Sequence, residues 1–156
     1  MNAAADPRVT SDGRERLRLW LRLLSLSRRI ESKLRERLRT RFGSTLPRFD
    51  VMAALARSPE GLTMGGLSQM LLVSNGNVTG IVERLAEDGL VTRNTHEGDR
   101  RASVVRLTRP GQAAFSEMAE AHAVWIDELL GGFAPEEARE LAAMLARGHV
   151  KLGERT

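Results

Sequence analysis

The side chains that most often carry out chemistry are few and scattered in this sequence. Histidine occurs at positions 96, 122 and 149, and no pair has the close spacing of a zinc site. Cysteine is absent, which excludes a thiol nucleophile, a disulfide scaffold, a zinc ribbon and cysteine-based peroxide sensing. No glycine-rich loop follows a strand-like run, so the phosphate-cradling signature is missing. His122 falls on an apolar helical face and reads as a satisfied interface histidine. These features argue against an enzyme and require neither metal nor cofactor.

Two polar clusters remain, and both suit recognition better than catalysis. The first lies in the run from Ser74 to Asp88. At about 100° per residue, a helix from Asn75 buries Val78, Ile81, Val82 and Leu85. The opposite face holds Gly76, Thr79, Gly80, Glu83 and Glu87, with Asn77 and Arg84 on the flank. Each exposed glycine costs about 1 kcal/mol relative to alanine. The bland explanation is two weak positions in a solvated helix. The sharper one, preferred here, is a face kept small so that the helix N-terminus can sit deep in a major groove. There Asn and Thr can bond base edges. The second cluster is Asp99-Arg100-Arg101, at a polar tip between two extended runs. In a regular strand Asp99 and Arg101 share a side, so the carboxylate can orient the guanidinium toward a narrow, electronegative minor groove. The alternative is a charged surface turn. The resulting DNA-contacting set is Ser74, Asn75, Asn77, Thr79, Arg84, Arg100 and Arg101, with Asp99 orienting the wing.

The elements that must position these residues are mostly helical. Residues 1–13 are polar, with Pro7 and Gly13, and read as a flexible tail. From Arg14 to Phe42, Leu17, Leu21, Leu24, Ile30, Leu34, Leu38 and Phe42 recur at helical spacing. The first half is also apolar on other faces, at Leu19, Trp20, Leu23 and Leu26, so it must be covered on more than one side. This chain's own core supplies one cover, and a second chain the other. Gly43 ends the helix, and Pro47 opens another at about Arg48–Arg57. Thr63 caps a helix over Met64–Leu71, and Ser74 caps Asn75–Asp88, which Gly89 closes. A hairpin follows, with Leu90–Thr95 and Ala102–Leu107 as its arms. Thr108 caps a long helix with the stripe Phe115, Met118, His122, Trp125 and Leu129. Pro135 opens a last one, with Ala138, Leu141, Leu145 and Leu152 on one face. The fold class is therefore mainly α with a small β-hairpin wing. A single domain spans 14–156, with a DNA reader at 43–108 flanked by helices at 14–42 and 109–152, to which the resemblance given below assigns dimerisation.

Charge is distributed unevenly along this order. The net charge is +4, and 22 of the 24 basic residues are arginine. Residues 1–42 are net +7, residues 43–108 net zero and residues 109–156 net −3. The opposite ends are expected to meet, within or between chains. A neutral reader must draw affinity from local groups: Arg100, Arg101, Arg93, Arg106, helix N-termini and part of the first helix. The salt dependence should then be modest. No apolar run approaches the roughly 20 residues of a membrane span, and the N-terminus does not read as a secretory signal. The expected location is the cytoplasm. From another class, a membrane-surface or protein-interaction adaptor would use the basic first helix.

The segment from Leu67 to Thr108 resembles the winged helix-turn-helix of the MarR family of bacterial transcriptional regulators. The resemblance rests on VSNGNVTGIVERLAEDGLV and on DRRASVVRLT, which fits the family's wing pattern Asp-x-Arg followed by Val-x-Leu-Thr. The order of elements agrees over residues 14–152. The resemblance implies an obligate homodimer with interlocked terminal helices and one recognition helix in each half of an inverted-repeat operator. Arg101 matches the wing arginine placed in the minor groove. It also implies a repressor released by a small ligand at the junction of the long helix, the second helix and the C-terminal helices. Trp20, Arg22, Arg28, Phe42, Phe49 and Asp50 are the ligand-binding candidates there, beside Met52. Packing accounts equally well for Trp20, and a favourable helix-dipole position for Asp50. Two subgroups are similar. In the hydroxycinnamoyl-CoA-responsive repressors the matching stretches are LRLWLRLL, TLPRFDVMAAL and VSNGNVTG. In the urate-responsive regulators they are Trp20, Asp50, Arg84 and Arg93. The first is held slightly above the second, so the expected effector is an aromatic acid or its CoA thioester.

Overall fold

The computed structural model describes residues 11–71, 75–96 and 99–153, and all of their side chains except those of 75, 95, 96, 99–102 and 149–153. The elements run α1 Ser11–Phe42, α2 Leu46–Ala56, β1 Leu62–Thr63, α3 Met64–Leu71, α4 Asn75–Glu87, β2 Val91–His96, β3 Asp99–Leu107, α5 Arg109–Leu130 and α6 Pro135–Gly153. The chain divides into two compact units inside α5, one ending at His122 and one beginning at Ala123.

In the first unit, α1 starts at Ser11 rather than Arg14, with Asp12 in its first turn where a carboxylate suits the helix dipole. Part of the stretch expected to be a tail is therefore helical, and residues 1–10 lie outside the described residues. Of the expected stripe only Leu34 and Leu38 are buried in α1. Leu17, Leu19, Trp20 and Leu21 are each more than half exposed in the single chain. The helix ends as its glycine requires: Gly43 adopts φ 58°. Its N–H reaches the Arg39 carbonyl at 3.0 Å, and the Ser44 N–H reaches that of Leu38 at 3.3 Å. Thr45 then caps α2, its hydroxyl accepting from the Arg48 N–H. With Pro47 in the first turn, α2 begins two residues before the position expected from the proline alone.

Leu62–Thr63 forms a strand that the sequence did not announce. It pairs antiparallel with Val104–Val105, giving a three-stranded sheet in the order β1-β3-β2 instead of a lone hairpin. Gly61 makes this possible. It has φ 88°, and a Cβ there would stand 2.7 Å from the Val105 carbonyl oxygen. Thr63 caps α3 as expected, accepting from the Gly66 N–H at 3.1 Å. Between β2 and β3 the register runs from Val91↔Leu107 to Asn94↔Val104, then shifts before His96↔Asp99.

The core of this unit holds Phe49, Val51, Met52 and Leu55 of α2, Leu67 of α3 and Val78, Val82 and Leu85 of α4. Gly89, at φ 71°, closes the α4 end, and the Leu90 N–H returns to the Leu85 carbonyl at 2.9 Å. The start of α5 is joined to this turn. The Thr108 hydroxyl donates to the Gly89 carbonyl at 2.7 Å and accepts from the Gly111 N–H at 3.0 Å. The Thr108 N–H donates to the Leu90 carbonyl at 3.0 Å. Gly111 lies so close that a Cβ would meet that same oxygen at 1.9 Å.

In the second unit, the Ala134 N–H donates to Glu137 at 2.8 Å, capping α6. Trp125 is buried, while Val124, Phe133, Leu141, Met144 and Leu145 are exposed. Of the apolar face expected on α6, Leu141 and Leu145 are thus exposed in the single chain, and the side chain of Leu152 lies outside the described residues.

Candidate nucleic-acid interface

Helix α4 has the two faces its spacing predicts. Val78, Val82 and Leu85 are buried, Ile81 is half-buried, and Gly76, Asn77, Gly80, Glu83, Arg84 and Glu87 are exposed. Thr79 is half-buried rather than fully presented. Of the other expected DNA contacts, Ser74 lies outside the described residues. Asn75 opens α4, while Asp99, Arg100 and Arg101 sit on β3. The side chains of these four lie outside the described residues. Asp99 borders the register shift, so its expected alignment with Arg101 rests on an irregular ladder rather than on simple alternation. Arg93 on β2 is held at the sheet, its Nε donating to the hydroxyl of the buried Ser103 at 3.0 Å.

A cleft of about 600 Å³ opens along the flank of α4. It is lined by Thr45, Pro47, Arg48 and Asp50 of the α2 start, Leu71 of α3, and Gly76, Asn77, Gly80, Ile81 and Arg84 of α4. The two glycines face open space there, since a Cβ at either position would meet nothing within 4 Å. Two of the expected DNA contacts, Asn77 and Arg84, therefore share this cleft with Asp50. Burial pushes the Asp50 carboxyl above the ordinary carboxylate pKa, and the negative charge of Glu31 adds to this while Arg57 opposes it. Arg48 forms an ion pair with Asp88 just beyond α4.

The six ligand candidates do not converge. Only Asp50 lines the cleft. Trp20, Arg22 and Arg28 are exposed on α1. Phe42 is half-buried at the end of α1, with the Arg41 guanidinium 5.3 Å from its ring centre. Phe49 is buried, stacked on His122 at 4.7 Å and tilted against Phe115 at 5.6 Å. An aromatic at helical spacing went to the core, the commoner fate of such residues. The His122 pKa is lowered by burial, which favours a neutral ring in that stack. Thr45, Pro47, Arg48, Leu71 and Ile81 were not anticipated as lining residues. The signal for them was the Gly76–Gly80 spacing, read above as a groove-facing surface alone. Among the described residues no group of three His, Asp or Glu side chains is placed to hold a metal ion, and no helix is long and apolar enough to cross a membrane.

The short helix pair α3 and α4, with β1 before it and the β2–β3 hairpin after it making a three-stranded antiparallel sheet, and two helices on either side in the chain, is a winged helix-turn-helix. Comparison with known proteins assigns the particular family. A family model described as MarR family matches residues 42–102. A MarR family transcriptional regulator from Silicibacter pomeroyi is 37% identical, with a TM-score of 0.76 over 91% of this chain and 97% of that one. The chain therefore belongs to the MarR family, whose members are transcriptional regulators and not enzymes. The regulator PecS of Dickeya dadantii is 32% identical over 101 residues, covering 64% of this chain and 61% of PecS. The chain spans about three fifths of the length of PecS and of two other curated relatives, and 77–86% of three more distant ones. A mutant form of MarR from E. coli, complexed with operator DNA, shares the fold at 23% identity, with a TM-score of 0.74 over 85% of this chain and 94% of that one.

Proposed function

We propose that this chain is a homodimeric, ligand-responsive repressor that binds an inverted-repeat operator, with α4 in the major groove and the wing arginine Arg101 in the minor groove. The observation that carries the reading is the surface of α4. Its buried stripe fixes the helix on the core, while its N-terminal half presents glycine, asparagine and little bulk. The operator complex of the related E. coli protein supports the docking mode by analogy of fold. The open apolar residues of α1 and, separately, of α6 support a second copy as their cover, since exposed apolar patches of this extent mark interfaces. Operator selection from random duplexes, followed by sedimentation, tests this. The expected result is a palindromic site bound by one dimer. A monomer bound to an asymmetric site would refute it.

The effector is a small planar aromatic anion held in the cleft beside α4. Arg48 and Arg84 supply positive charge, and Gly76 and Gly80 supply room. Two versions are kept. An aromatic acid or its CoA thioester fits the arginine content of α1. Urate is favoured by a specific observation, the convergence of Asp50 and Arg84 on one cleft, although Trp20 does not line it. p-Coumarate, p-coumaroyl-CoA and urate are to be titrated against the operator complex. Release by urate alone decides for the second version, and release by the thioester for the first.

A further inference from the structure

Arg48 stands between the cleft and the end of the recognition helix. It lies in the first turn of α2, lines the cleft, and through one Nη nitrogen pairs with Asp88, the residue that follows α4. Its side chain is only 21% exposed, against 51% for Asp88. The Nε of the same guanidinium is buried with no hydrogen-bond partner among the described residues. That arrangement is incomplete. The Nε and Nη edge of arginine is a fork matched to two oxygens at once, and Asp88 occupies one prong. A buried donor without an acceptor is costly, so the guanidinium is poised to turn toward any anion that fills both prongs.

We infer that Arg48 is the exchange point of the regulator: an anion in the cleft takes the guanidinium bidentately, and Asp88 is released. The inference rests on the cleft being the effector site. In the empty protein the Arg48–Asp88 pair ties the start of α2 to the end of α4. In the occupied protein that tie is gone, and α4 is held at its C-terminal end by one contact fewer. Asn77 and Arg84 line the same cleft on α4 itself, so the anion also engages the helix being released. A ligand shifts a conformational balance only through its difference in affinity for the two arrangements. Competition with Asp88 supplies such a difference.

The exchange makes a prediction opposite in sign to a merely structural pair. Asp88→Asn removes the competitor while keeping the shape, so the cleft should bind its anion more tightly, by about fivefold or more. Arg48→Lys keeps the charge but loses the fork, and should bind more weakly by at least as much. Calorimetric titration of urate and of p-coumarate into the full-length wild type and both variants reads this directly, with circular dichroism confirming that each is folded. Tighter binding to Asp88→Asn together with weaker binding to Arg48→Lys supports the exchange. Equal or weaker binding to folded Asp88→Asn overturns it while leaving the cleft as the effector site. Absence of binding to the wild type by either anion overturns the effector reading and the exchange together.

Discussion

Replacing Gly80 with alanine should make this protein more stable and worse at its task. Gly80 stands on α4 opposite the buried line Val78, Val82 and Leu85, and a Cβ there meets nothing within 4 Å. The substitution therefore adds no clash and removes the entropic penalty of glycine inside a helix, a gain of about 1 kcal/mol. For a chain of this size such a gain raises Tm by about 2–4 °C. The same methyl group projects from the surface proposed to enter the major groove. Holding the helix off by one methyl forfeits a base contact worth about 1–3 kcal/mol, so operator affinity should fall by about fivefold or more. Thermal unfolding followed by circular dichroism and fluorescence anisotropy with the selected operator measure the two effects on the same preparation. A fall in Tm would show that the site is not open space. A rise in Tm with unchanged operator affinity would show that Gly80 is only a weak position in a solvated helix, and the groove reading of this face would be lost.

Gly111→Ala should do the reverse and damage the fold, because its Cβ would fall 1.9 Å from the Leu90 carbonyl oxygen. A loss of about 3 kcal/mol or more in urea unfolding is expected, and near-wild-type stability would disprove the close approach. Arg101→Ala should weaken operator binding without changing the circular dichroism spectrum, and unchanged affinity at moderate salt would remove the wing arginine from the contact set. Asp50 has a raised pKa. Its protonated form therefore contributes stability that is present in full below the ordinary value of 3.8 and is lost as pH rises through the raised value. Asp50→Asn should match the wild type at the acid end and gain on it across that window in urea unfolding. A gap that stays constant with pH would refute the assignment.

Much of the helical frame was legible because the signals are local. The α4 stripe repeats at helical spacing, Gly43 and Gly89 mark helix ends, and Thr63 and Thr108 mark starts. Each is a statement about one turn of chain. The two-residue strand β1 was not legible, since Leu62–Thr63 carries no periodicity and is created by Gly61 turning the chain onto Val104–Val105. The register shift in the wing is also a property of two strands together. The cleft was legible only in fragments. Asp50 and Arg84 were singled out separately, but their meeting depends on how α2 packs on α4. The surroundings of Phe49 were not legible for the same reason: its ring is buried against Phe115 and His122, partners that α5 brings to it.

The junction around Thr108 and Gly111 has a consequence for both helices it joins. The turn that closes α4 and the beginning of α5 are bonded through Gly89, Leu90 and Thr108, with the Gly111 backbone close against the Leu90 carbonyl. The residues that decide where the recognition helix stops are thus the ones against which the next long helix starts. A side chain at position 111 would therefore be felt at the end of α4 as well as in overall stability.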